Sequence, residues 1–213
     1  YLFTLQSKFG MKVGHVLFKT NNLKASFKAF EKLGFNVEYG SKSKPHNALI
    51  YFSEGPYIEL LEKAPISPFI KLILRLMGRR LLVERFNSWE NAKEGFFEIC
   101  LENNTTNFEK EIKILNKFKE GFFVTRSKRI DPSHRVLTWK LLFPNQIKIP
   151  FLMTKFSKNP KPNNFVHPNK IKRIKQISYG TDSKFISILN ELCDDSTLQL
   201  YEGHGVKDVF YEK

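Results

Sequence analysis

The chain has 213 residues, 35 Lys and Arg against 21 Asp and Glu, and a net charge of +14. With 41% hydrophobic residues, this excludes a disordered tail, a coiled coil and a collagenous repeat. The length can bury a core as one domain or as two of about 100 residues each.

The basic excess points to an anionic partner: nucleic acid, acidic lipid, or a carboxylate or phosphate ligand. Cys100 and Cys193 lack metal-finger spacing and read as small buried hydrophobes of a reducing compartment. No apolar run approaches the roughly 20 residues of a membrane span. Tyr1–Gly10 has no basic region followed by an apolar run and reads as a leader ahead of Met11, so the expected localisation is cytoplasmic.

In chain order, Met11 to Lys19 alternates as a strand. Asn21 and Asn22 offer capping side chains, Leu23, Phe27, Phe30 and Leu33 follow at helical spacing, and Gly34 closes the helix. Phe35–Tyr39, Asn47–Phe52 and Tyr57–Leu61 read as strands, the last two joined by Glu54-Gly55-Pro56. Pro68–Phe86 reads as a helix interrupted at Gly78. The first order then recurs. Phe96–Leu101 is a strand, Asn103–Asn104 a polar cap, and Phe108, Ile112, Leu115 and Phe118 a helix closed at Gly121. Strands are predicted at Phe122–Thr125, Val136–Leu142 and Ile147–Leu152. A basic strand (Ile171–Tyr179), a helix (Ser183–Leu192) and two short strands (Leu198–Tyr201, Val206–Tyr211) form a partial third unit. The expected class is therefore α+β. Tandem βαβββ modules (residues 11–62 and 95–155) are joined by a connector helix (63–94) and followed by a βαββ extension (156–213).

Paired βαβββ modules with His15 in the first strand and Glu59 in the fourth resemble the vicinal oxygen chelate superfamily. Val13-Gly14-His15-Val16-Leu17, Phe30-Glu31-Lys32-Leu33-Gly34-Phe35 and Tyr57-Ile58-Glu59-Leu60-Leu61 look like its glyoxalase-like domain proteins in particular, as do Trp139, Ile149-Pro150-Phe151 and His167-Pro168-Asn169. The resemblance implies a cup-shaped mixed sheet with a site between the modules and ligands from the first and fourth strands of each half. It allows a divalent metal (Zn, Ni, Mn or Fe) on His15, Glu59 and Glu98. The second half departs from the pattern, with Pro150 at the position matching Glu59.

Strand alternation puts His15, Asn47, Tyr51, Tyr57 and Glu59 on the cup face of the first half. Taking Leu137, Trp139, Leu141 and Phe143 as helix-facing turns Thr138 and Lys140 into the cup, beside Lys148 and Glu98. A His/Glu pair facing two ammonium groups suits a small anionic or carbonyl-bearing molecule. His15 or Glu59 is then the catalytic base, and Lys140 and Lys148 stabilise an oxyanion in a lyase or isomerase-type reaction. The alternative is a non-catalytic binding protein that has lost the metal quartet. Plainer readings stand beside these: a His15–Glu59 hydrogen bond, a Glu98–Lys148 ion pair, and His46 as loop rather than rim. His134 and His204 read as turn residues and His167 as a packing residue.

Lys71, Arg75 and Arg79 form a basic stripe on the connector helix. It is read as a connector over the cleft edge, with an anionic membrane surface as the alternative. The Lys170–Lys175 cluster lacks a stacking platform, which disfavours nucleic acid; a homodimer stays open. No Gly-rich phosphate loop or nucleophile elbow is present.

Overall fold

A computed structural model describes residues 10–43, 45–64, 66–162 and 165–213; the Tyr1–Gly10 leader reading falls, up to residue 9, outside them. The first module runs β1 (Lys12–Lys19), α1 (Leu23–Lys32), β2 (Glu38–Tyr39), β3 (Asn47–Ile50) and β4 (Tyr57–Leu61). The connector is two helices, α2 (Pro68–Leu76) and α3 (Arg80–Glu90), separated where Gly78 takes φ +73°. The second module is β5 (Gly95–Asn103), α4 (Glu109–Lys117), β6 (Phe122–Ile130), β7 (Val136–Pro144) and β8 (Phe151–Thr154). The extension is β9 (Arg173–Thr181), α5 (Ser183–Leu192), β10 (Leu198–Glu202) and β11 (Gly205–Glu212).

Eight strands form one curled sheet in the order β2-β3-β4-β1-β5-β8-β7-β6. The duplication is visible in the pairing. β1 and β5 lie antiparallel at the centre, and each has its own module's last strand as a parallel neighbour, β4 and β8 respectively. β10-β9-β11 make a separate small sheet, in which α5 supplies the crossover between parallel β9 and β10.

Local chemistry sets the helix ends. Asn22 Oδ1 accepts from Ala25 N at 3.0 Å and caps α1. α4 differs from expectation: Asn103 stays in β5 and accepts from Thr105 N, while Asn107 accepts from Glu109 N at 3.4 Å. Glu109 and Glu111 in its first turn complement the helix dipole.

The two sheet faces carry separate cores. Val16, Ile58, Leu60, Ile99, Leu101, Leu142 and Leu152 pack towards Leu23 and Phe30 of α1, Leu115 of α4, and Ile188 and Leu189 of α5. On the concave face Leu17, Leu61, Cys100, Phe143, Phe151 and Met153 meet Leu82, Phe86 and Trp89 of α3.

Arg85 ties this roof down. It is 1% exposed, and its Nη2 donates to the carbonyls of Pro144 (2.8 Å), Gln146 (2.7 Å) and Ile149 (3.0 Å). Its Nη1 lies 3.7 Å from Glu98. Glu98 also accepts from the Tyr179 hydroxyl at 2.9 Å, joining connector, central strand and extension in one buried polar cluster.

Candidate functional site

Under that roof lies a cavity of about 510 Å³, within the size range of small-molecule sites. Leu17, Leu61, Phe86, Trp89, Trp139 and Phe151 are among the side chains that make its walls apolar. The polar end is built by β1, β3, β4 and β6. His15 is buried, stacks on Tyr57 at a centroid distance of 4.7 Å, and places Nε2 3.3 Å from Glu59 Oε2. Asn47 Nδ2 donates to the other Glu59 oxygen at 2.7 Å.

Burial pulls the His15 imidazole down to about 4, with Glu59 opposing that and Arg129 adding to it. The ring is therefore neutral at pH 7. Glu59 thus accepts a hydrogen bond from Asn47 and has an uncharged imidazole 3.3 Å from its other oxygen. His15 Nδ1 is buried with no hydrogen-bond partner among the described residues.

Arg129 is the cation that sequence reasoning did not find. It lines the same cavity; Nη2 donates to the Tyr51 hydroxyl at 2.9 Å and Nη1 to the Gly40 carbonyl at 3.2 Å. Its Nε is buried without a partner among the described residues. Burial disfavours its charge, but Tyr51, Tyr57 and Glu59 outweigh that and hold the guanidinium above its ordinary pKa. Gly40 lets the two groups converge: a Cβ there would overlap Asn47 Oδ1 and sit 3.1 Å from Arg129 Nη1.

The structure brings His15, Asn47, Tyr57 and Glu59 to one site and places His46 on its rim. Tyr51 stands behind, bonded to Arg129. Four further expected cup residues do not line it either. Trp139, Leu141 and Phe143 face the cavity, which turns Thr138 and Lys140 to the other side of β7. The cup itself is the apolar side here because α2 and α3 cover it, so the rule equating apolar with helix-facing points the wrong way. Lys148 precedes β8 and pairs with Asp182 at 2.6 Å, not with Glu98. Glu98 shares the face of Cys100 but is taken up by Arg85 and Tyr179.

The metal expectation does not fit these residues. Among the described residues no group of three or more His, Cys, Asp or Glu is placed to hold a metal ion. The reason is local. β8 begins at Phe151, so the residues it turns into the cup are Phe151 and Met153, while Pro150 lies ahead of the strand. Cys100 is the cross-strand neighbour of His15, fully buried, and its thiol is pushed well above its ordinary range by burial.

Tyr57 and Phe156 also line a second cavity, of about 490 Å³, that holds Lys161 and Glu102. Burial lifts the Glu102 carboxyl to about 7, against the pull of Lys161. A raised carboxyl pKa means the folded state keeps its proton longer than the unfolded state, so stability falls as pH rises from 4.5 towards 7. His15 acts oppositely: its lowered pKa removes stability as pH falls from 6.5 to 4. Glu102→Gln is expected to raise stability at about pH 8 by about 2 kcal/mol, discounted from about 3 because the group is partly open to water. The variant should then lose stability steadily below pH 6.5, the unfolded value of His15. Denaturant unfolding across the pH range checks both; unchanged stability at about pH 8 would rule out the burial penalty at Glu102.

The sequence matches the family described as glyoxalase-like domain over residues 13–192. No curated protein matches it. Among solved structures, a hypothetical protein from Staphylococcus aureus superposes with a TM-score of 0.65 at 17% identity, covering 92% of this chain and 88% of that one. A xylose isomerase-like TIM barrel/4-hydroxyphenylpyruvate dioxygenase fusion protein gives a TM-score of 0.53 at 13% identity, over 95% of this chain and 36% of that one. At these identities the likeness is one of fold.

Proposed function

Because the chain belongs to the glyoxalase-like domain family, we propose that its cup binds a small molecule with a carbonyl and an anionic head, and acts on the carbon beside the carbonyl. The observation that carries this reading is the Glu59 carboxylate, held by Asn47 and His15 at the polar end of an otherwise apolar cavity that also contains Arg129.

Glu59 is the base. It takes the proton from the carbon next to the carbonyl, and the electron pair moves onto the carbonyl oxygen. Arg129 stabilises the resulting enolate and the adjacent anionic group through charge-assisted hydrogen bonds. Return of the proton to the opposite face of the same carbon epimerises it, and return to another atom isomerises the molecule. Asn47 and His15 are positioning residues: a neutral amide donor and a neutral ring packed at 3.3 Å orient the carboxylate without neutralising it, as a cation in their place would. The apolar walls receive the hydrocarbon part of the ligand.

A titration with 2-oxooctanoate, which combines carboxylate, carbonyl and an alkyl tail, tests the binding half. Wild-type protein should bind it and release heat on one site, with Arg129→Met markedly weaker. Equal affinity in the two proteins would remove Arg129 from the site. The alternative, a binding protein without catalysis, draws on Phe151 and Met153, the apolar side chains that β8 turns into the cup where β4 of the first half supplies Glu59.

A further inference from the structure

Helix α2 leaves an unusual surface. None of its nine residues is buried, and Phe69 (70% exposed), Leu72 (51%), Ile73 (38%) and Leu76 (80%) lie at the i, i+3, i+4, i+7 spacing of one face, with Met77 (65%) beyond. The helix is fixed from behind. Lys71 donates to Asn87 at 3.0 Å and to Glu90 at 2.5 Å on α3, while Ile70 and Leu74 line the cup. The apolar stripe is therefore held outwards. Each such side chain forgoes about 1.5–3 kcal/mol while it stays in water, and a contiguous patch of this kind marks an interaction surface.

Charge identifies the occupant. The segment from Lys63 to Val83 contains no acidic residue, and Arg75, Arg79 and Arg80 in and after the helix are all exposed, Arg80 in a surface pair with Glu84 at 2.8 Å and Arg79 over the Phe123 ring. A second copy docked about a twofold axis would set this basic rim against itself. An anionic bilayer satisfies both parts of the surface, taking the apolar side chains into the headgroup boundary and the guanidinium groups at the phosphates. Among the described residues no helix is long and apolar enough to cross a membrane, so α2 would lie in the interface plane.

We propose that α2 is a docking helix for anionic membrane surfaces, with Phe69, Leu72, Leu76 and Met77 inserted and Arg75, Arg79 and Arg80 on the lipid phosphates. Docking in this way turns the roof of the cup towards the bilayer. It stands on the helix surface alone and does not depend on the chemistry assigned to Glu59.

Co-sedimentation with vesicles of phosphatidylcholine, with and without about one third phosphatidylserine, tests it. Wild-type protein should pellet with the anionic vesicles and release as salt is raised to about 0.5 M. Phe69→Ser/Leu76→Ser and Arg75→Gln/Arg80→Gln should each bind at least about tenfold more weakly. These positions are exposed, so both variants should keep the wild-type melting temperature, which shows that they fold. Absence of binding to anionic vesicles at low salt, or equal binding by wild type and both variants, overturns the proposal. So does a wild-type dimer in sedimentation equilibrium that Phe69→Ser/Leu76→Ser disperses while no vesicle binding is seen, since that assigns the face to a second copy.

Discussion

Arg129→Met should weaken binding of 2-oxooctanoate by about 10- to 150-fold, the range that corresponds to about 1.5–3 kcal/mol for a hydrogen bond to a charged group. The expectation is large because the guanidinium is partly shielded from solvent between Tyr51, the Gly40 carbonyl and the Phe156 ring, whose centroid is 5.6 Å from Cζ. Screening by water is weak there, so an arriving carboxylate meets nearly the full charge. Arg129→Lys keeps the charge but loses the planar fork that bonds Tyr51 and Gly40 together, and should fall between the two. Stability separates binding from folding. Losing the bonds to Tyr51 and Gly40 should cost about 1–2 kcal/mol, too little to unfold the chain. A variant that melts near wild type yet no longer binds therefore reports on the site. Wild-type affinity in Arg129→Met would place the anion elsewhere.

Arg85→Met should be the most destabilising single change considered, by about 3–5 kcal/mol. Methionine fills much of the volume but leaves Glu98 buried without its cation and three backbone carbonyls without their donor. Burial already pushes the Glu98 carboxyl above its usual range, with Arg85, the Ile99 amide and Tyr179 opposing that. Removing Arg85 takes away the largest of these opposing influences. The double variant Arg85→Met/Glu98→Gln should recover part of the loss, because the orphaned charge is gone. Urea unfolding of the four proteins in the cycle measures this directly. A loss below about 1 kcal/mol, or no recovery in the double variant, would mean the cluster contributes little.

Much of the fold was legible because its elements obey simple periodicities. α1 carries its Asn22 cap and Gly34 stop in sequence, and the duplicated order of elements shows the two halves that meet at β1 and β5. The first-half site was equally legible: alternation alone puts His15, Asn47, Tyr57 and Glu59 on one face. The second half misled for reasons that act over long distances. β7 has apolar residues on the cup side because α2 and α3 roof it, and no local pattern distinguishes a roofed cup from a helix-packed face. Arg129 was missed because β6 was expected to stop at Thr125; it continues to Ile130, paired throughout with β7. The signal was present in Asp131-Pro132-Ser133-His134, a turn that brings Ile130 opposite Val136 and so extends both strands. Arg85 also left a mark: a single charge on the face of α3 that carries Leu82, Phe86 and Trp89.

α2 shows the converse case. Its sequence suits a connector over the cleft edge, and Ile70 and Leu74 do line the cup. Its other face stays exposed, and the helix thus serves two surfaces at once.

Deuterium exchange at C3 of 2-oxooctanoate, followed by proton NMR in heavy water, tests the chemistry of the cup most directly. The wild-type protein should exchange that proton faster than buffer alone. Glu59→Gln, which keeps the shape of the site and one acceptor oxygen for Asn47, should reduce the rate to the buffer background. Equal exchange by wild type and Glu59→Gln would contradict Glu59 as the base, and binding without any exchange above background would leave the cup a binding site and not a catalytic one.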